Sequence, residues 1–133
     1  MTYLLDTNTC IRYLNGRSPQ VRNNLESLSP GEVALCSVVK AELLYGAARA
    51  RYPERTMAHI ETFAAPFISL PFDDSCAHKY GEIRARLEQA GTPIGPNDLM
   101  IAAIALAHGL TVVTHNTREF GRVAGLILAD WEV

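Results

Sequence analysis

Five short apolar runs, each separated from the next by a stretch with helical spacing, constrain this chain more than any other feature. The runs at residues 3–5, 33–36, 67–70, 111–114 and 126–128 are short and mostly apolar, and they read as strands buried on both faces. Between them Val21, Leu25 and Leu28 recur at helical spacing, as do Met57, Ile60 and Ala64, while Cys76, Tyr80, Ile83 and Leu87 trace one stripe over several turns. Ser37 is the expected N-cap of a helix over 38–50, and Gly109 the expected terminator of a helix over 99–108. Strands alternating with helices imply a three-layer α/β/α fold around a mostly parallel central sheet of about five strands. A length of 133 residues suits one domain spanning 1–133. Cys10, Cys36 and Cys76 are an odd count without a CxxC pair, so they are expected as buried, unpaired hydrophobes rather than as bridges or zinc ligands. The longest apolar run, 99–107, is far short of the ~20 residues that span a bilayer, and no leader pattern precedes Asp6. The expectation is a cytoplasmic protein, neither membrane-spanning nor secreted.

In a sheet of this kind ligands bind beyond the carboxyl ends of the strands. Acidic and amide residues fall there: Asp6 after the first run, Glu42 early in the helix after the second, Asp98 at the start of the helix before the fourth, and Asn116 with Glu119 after the fourth. Asp6 and Asp98 each have a plain alternative as helix caps, and Glu119 as a solvated side chain. Glu42 is harder to explain so, because Val38, Val39, Tyr45 and Gly46 surround it one turn either way and offer no cation. Should Asp6, Glu42 and Asp98 converge within ~4–5 Å, each pair repels by about 3–4 kcal/mol at an effective dielectric of ~20. Three such pairs rival the ~5–15 kcal/mol net stability of a domain. A bound cation or a retained proton is then required, and a donor set of oxygens alone selects Mg2+, with Mn2+ as its substitute, over zinc. Carboxylates holding such an ion serve phosphoryl chemistry.

The motifs around these acids are Asp6-Thr7-Asn8, Lys40-Ala41-Glu42-Leu43 with Tyr45-Gly46, Gly95-Pro96-Asn97-Asp98, and Val113-Thr114-His115-Asn116-Thr117-Arg118-Glu119-Phe120. Together, in this order, they resemble the PIN-domain ribonucleases, and more closely the VapC toxins of bacterial VapBC toxin–antitoxin pairs, from Thr2 to Trp131. The resemblance implies a Mg2+-dependent endoribonuclease with Asp6, Glu42, Asp98 and Glu119 as its catalytic acids. Asp6 and Asp98 would be the metal ligands, while Asn8, Thr114 and Asn116 would position ligands or substrate. One departure stands out. Many PIN domains carry a fourth acid where this chain has the neutral Asn116, which leaves Glu119 as its substitute and a second metal in question.

The resemblance further implies a structured RNA substrate, in the enteric-type relatives the anticodon stem-loop of initiator tRNA, whose cleavage stops translation. It implies a VapB-type antitoxin bound in a groove between helices at 10–14, 21–28 and 38–57, together with homodimers and toxin–antitoxin hetero-oligomers. With a net charge of −2, DNA contact would belong to the antitoxin. Of the 12 cations only Lys40 and Lys79 are lysine, and the arginines at 12, 49 and 118, with Arg17, Arg51 and Arg55, are candidate phosphate contacts. His115 beside Asn116 is a weak candidate for a general base. Two rivals remain: a Mg2+-dependent phosphatase-like or receiver-like domain, which would want a second acid where Asn8 stands, and a catalytically inactive PIN-like interaction module.

Overall fold

The computed structural model describes all 133 residues. Its strands are β1 (Tyr3–Leu5), β2 (Val33–Cys36), β3 (Ile68–Leu70), β4 (Thr111–Val113) and β5 (Leu128–Ala129). They form one sheet in the order β3-β2-β1-β4-β5, every neighbouring pair parallel. Seven α-helices connect and flank it: α1 (Thr7–Asn15), α2 (Pro19–Glu26), α3 (Ser37–Ala48), α4 (Pro53–Ala64), α5 (Asp74–Gln89), α6 (Pro96–His108) and α7 (Thr117–Phe120). The three-layer α/β/α expectation holds.

The order of the strands locates the functional end. The chain builds outward from β1 to β2 and β3, then crosses back to lay β4 on the other side of β1. The connections leaving β1 and β4 therefore diverge, opening a crevice above their carboxyl ends. Leu4, Leu5, Ala34, Leu35, Val112 and Val113 are all fully buried, which fixes the register beneath that crevice. Helix α6 is buried nearly all round, with Ile101 to Ile104 and Ala105 inaccessible to solvent, so a charged side chain can be tolerated only at its ends.

Several boundaries differ from those expected. Ser37 is not a cap: it is the first helical residue of α3, and Cys36, with extended φ −139° and ψ 164°, holds the capping position without a side-chain bond. Asp98 is not a cap either, since Gly95 precedes α6 and Asp98 lies inside its first turn. The region 38–57 is two helices, because a turn intervenes before Pro53, whose missing N–H suits the first position of α4. The last strand lies later than 126–128, because Val112 and Thr114 donate their N–H groups to the carbonyls of Ile127 and Ala129. Gly109 does end α6, in the left-handed region at φ 66°. All three cysteines are buried and unpaired.

Candidate active site

Asp6 ends β1 and is only 4% exposed. Its carboxylate caps α1 by accepting the Thr9 N–H at 2.9 Å, so the capping reading is correct without excluding another role. The Asp6 N–H donates to the Val113 carbonyl at 3.1 Å, and so does the Thr9 hydroxyl, at the same distance. These bonds tie the β1–α1 corner to β4. Burial raises the Asp6 carboxyl above its ordinary range; the Thr114 and Thr9 hydroxyls and the Thr9 N–H oppose that shift, and Glu132 reinforces it weakly.

Glu42 sits on the face of α3 turned towards α1, and its partner is Thr7, whose hydroxyl donates to Oε1 at 2.7 Å. Thr7 was missed in the sequence, although its place beside Asp6 in the first turn of α1 was the available signal. Asp98, half-buried at the start of α6, is the most perturbed acid of the group. Desolvation pushes it up to about 6, with the charges of Asp6, Glu119 and Glu42 adding in that order, while the Asn116 amide favours the ionised form. Asn116 also donates from Nδ2 to Glu119 Oε2 at 2.7 Å, and its N–H donates to the Thr114 hydroxyl at 2.9 Å. Glu119 is thereby brought into the field of Asp98 by the neutral residue that stands where a fourth acid was expected.

No three of these side chains are already arranged as a metal-holding set, although the charges of Asp6, Glu119 and Glu42 all act on Asp98. The acids are met by neutral donors, Thr9 for Asp6, Thr7 for Glu42, and Asn116 for both Glu119 and Asp98. Repulsion among the acids persists and adds to desolvation in raising Asp98. None of the four acids has a Lys, Arg or His within salt-bridge distance, since the ion pairs of the molecule lie elsewhere. Oxygen donors without a paired cation, around a carboxyl that retains its proton near pH 6, fit a hard divalent cation.

Beside the acids runs a groove of about 730 Å3, lined among others by Asn8, Glu42, Tyr45, Arg49 and Asn97. A contiguous apolar hollow follows along α1, α3 and α4, through Ile11, Leu14, Leu43, Ala47 and Ile60. Helix α2, part of the expected groove at 10–14, 21–28 and 38–57, lines neither. Of the arginines, Arg49 faces the groove, whereas the Arg12 Nε lies 3.4 Å from Glu132 and is engaged there. Arg118 is exposed. His115 pairs with none of the four acids: its Nδ1 lies 2.9 Å from Asp130, which together with Glu132 raises its pKa.

The sequence pattern of the PIN domain matches residues 3–126. The chain is 43% identical over 131 residues to the tRNA(fMet)-specific endonuclease VapC of Shigella flexneri, covering 98% of each chain. It is 40% identical to ribonuclease VapC2 of Rickettsia felis over 133 residues, 99% of each. A DNA-bound VapBC crystal structure from Salmonella typhimurium superposes with a TM-score of 0.93 at 39% identity, covering 98% of both chains. With the strand order, the crevice and the acids in place, the chain belongs to the PIN domain family, among its VapC ribonucleases.

Proposed function

We propose that this protein is the endoribonuclease toxin of a toxin–antitoxin pair, cutting tRNA, in the first instance initiator tRNA in its anticodon stem-loop, with Mg2+ as its ion and Mn2+ as a substitute. Asp98 carries the reading: a half-buried carboxyl raised to about 6 by burial and by three acidic neighbours, with no protein cation to offset them. Asp6 and Asp98 would hold the ion. When bound, a hard divalent cation supplies positive charge to the attacked phosphate and acidity to the attacking water. Asp6 is fixed by β1 and its cap to α1, and Asp98 by the buried helix α6, so neither depends on a mobile loop. Glu42, steadied by Thr7, borders the groove from which RNA and water would enter, and orients the water. Asn116 and Thr114 hold Glu119 and Asp6 in register across the β1–β4 crevice. An unpaired loop suits this site because its backbone can be splayed over a recessed acid group.

Three of the similar solved structures, from Salmonella typhimurium, Rickettsia felis and Haemophilus influenzae, are VapBC complexes, and the first two of these are bound to DNA. By extension, a VapB-type antitoxin occupies the apolar hollow of α1, α3 and α4, and the single PIN domain works in the cytoplasm as a homodimer within a larger complex that contacts DNA through the antitoxin. The decisive experiment incubates purified protein with initiator tRNA and Mg2+. Cleavage with a 5′-phosphate end is expected, lost in EDTA and in Asp98→Asn; cleavage that persists in EDTA overturns the reading.

A further inference from the structure

Glu42 and Tyr45 on α3 and Arg49 at its C-cap follow one another at helical spacing, so that Tyr45 lies about 4.5 Å further along the axis than the acid. All three line the same groove. Tyr45 is 63% exposed, an unusual exposure for a large aromatic ring, and the Arg49 guanidinium lies over it at 4.7 Å from the centroid. Just beyond, at the α3–α4 turn, the pattern repeats: Tyr52 is 54% exposed, with Arg51 and Arg55 at 5.5 and 5.0 Å from its ring centroid. Only Glu54 opposes the three arginines of this stretch in a chain whose net charge is −2. None of the three forms an ion pair with a carboxylate. An exposed ring and an unpaired guanidinium, Tyr45 and Arg49, thus line the groove with Glu42, and a second such cluster follows them in the chain.

We propose that Tyr45, braced by Arg49, is a base-stacking subsite for an unpaired nucleotide of the RNA next to the scissile phosphate, and that Arg51, Tyr52 and Arg55 extend the track along the strand. The inference rests on the RNA-cleavage reading for its class of ligand. An aromatic face accepts any base, and the arginine that steadies it keeps N–H groups for the neighbouring phosphate. A groove of 730 Å3 lies within the ~300–1,000 Å3 usual for ligand pockets and has room for an extruded base. Asn8 and Asn97 line the same groove and bring amides that can meet a base edge. A peptide partner would be served better by the apolar hollow along α1 and α4, whereas stacked arginine and tyrosine favour a phosphate-bearing, π-faced ligand.

The test uses the full chain and an anticodon stem-loop RNA with 2-aminopurine placed in the loop. Fluorescence reports stacking, and anisotropy reports affinity even where nothing is cleaved. Tyr45→Leu should weaken binding about 5- to 150-fold, the weight of one lost base stack, and relieve the fluorescence quenching, while Tyr45→Phe restores both. In steady-state cleavage the loss should appear in KM, with kcat nearly unchanged. Tyr52→Leu should give a smaller effect of the same kind. Unchanged melting temperatures show that the variants are folded. Retained quenching and affinity in Tyr45→Leu overturn the inference even if wild type cleaves normally. Weaker capture of an antitoxin with RNA affinity intact likewise overturns it, by assigning the face to a protein. Tyr45-dependent binding without cleavage by wild type leaves the subsite standing and removes the catalytic reading instead.

Discussion

Asp6 shows how one side chain can satisfy two demands that pull in different directions. As a cap it favours folding by closing the first turn of α1, and as a buried carboxylate among other acids it opposes folding. Asn retains the cap and removes the charge, whereas Ala removes both. Asp6→Asn should therefore raise the melting temperature of the ion-free protein and abolish cleavage. Asp6→Ala should abolish cleavage too, but give up about 1 kcal/mol of cap, so that its melting temperature lies below that of Asp6→Asn. Equal melting temperatures for the two would remove the cap from the account. Asp6 and Asp98 were legible in the sequence because strand-end acids precede or open apolar segments there. Their tethers were not: Thr7 reaches Glu42 across 35 positions, and Thr9 reaches Val113 across 104, distances over which local pattern carries no information.

At the scale of elements, the short helix α7 matters more than its length suggests, because Asn116 and Glu119 ride on it and on the turn before it. Gly121 closes α7 with its N–H donating to the Thr117 carbonyl at 2.9 Å, and a Cβ added at Gly121 would stand 2.5 Å from that same oxygen. The backbone must shift to admit it. Gly121→Ala should cost about 1–3 kcal/mol and lower kcat by displacing Glu119, although no acid is altered. A normal kcat in that variant would free catalysis from any dependence on α7. The existence and order of strands and helices could be read from the sequence, since apolar runs and helical stripes are properties of the segments themselves. Ends were less legible. The Ser37 hydroxyl looks like a cap on composition, yet the extended Cys36 takes the capping position, and the helix begins at Ser37, one residue earlier than a cap at Ser37 would allow. Likewise β5 takes its limits from the β4 carbonyls and amides it pairs with rather than from its own side chains.

For the molecule as a whole, pH brings two separate groups to bear on stability in the same direction. In the ion-free protein Asp98 holds its proton up to about 6 against an ordinary value of 3.8, so the folded state binds the extra proton and stability falls as pH climbs between those values. Half-exposure screens the effect to something on the order of 1–2 kcal/mol. His115, 59% exposed and paired with Asp130, has a raised pKa, so its contribution is complete below its ordinary 6.5 and is lost as pH rises through the folded value. The Asp130–Glu132 segment that meets His115 also carries Trp131 onto the edge of Tyr3, with ring centroids 5.4 Å apart, and places Glu132 on Arg12. Loosening it should therefore be felt at β1 and at Asp6. In EDTA the melting temperature of wild type should decline in two stages, first across pH 4–6 and again above 6.5. Mg2+ should abolish the first stage by occupying the site, because the ion favours ionised Asp98, and should leave the second untouched. Asp98→Asn should lack the first stage with or without the ion, and His115→Gln should lack only the second. A wild-type melting temperature in EDTA that rises from pH 5 to pH 8 would contradict both assignments, since each group requires the opposite sign.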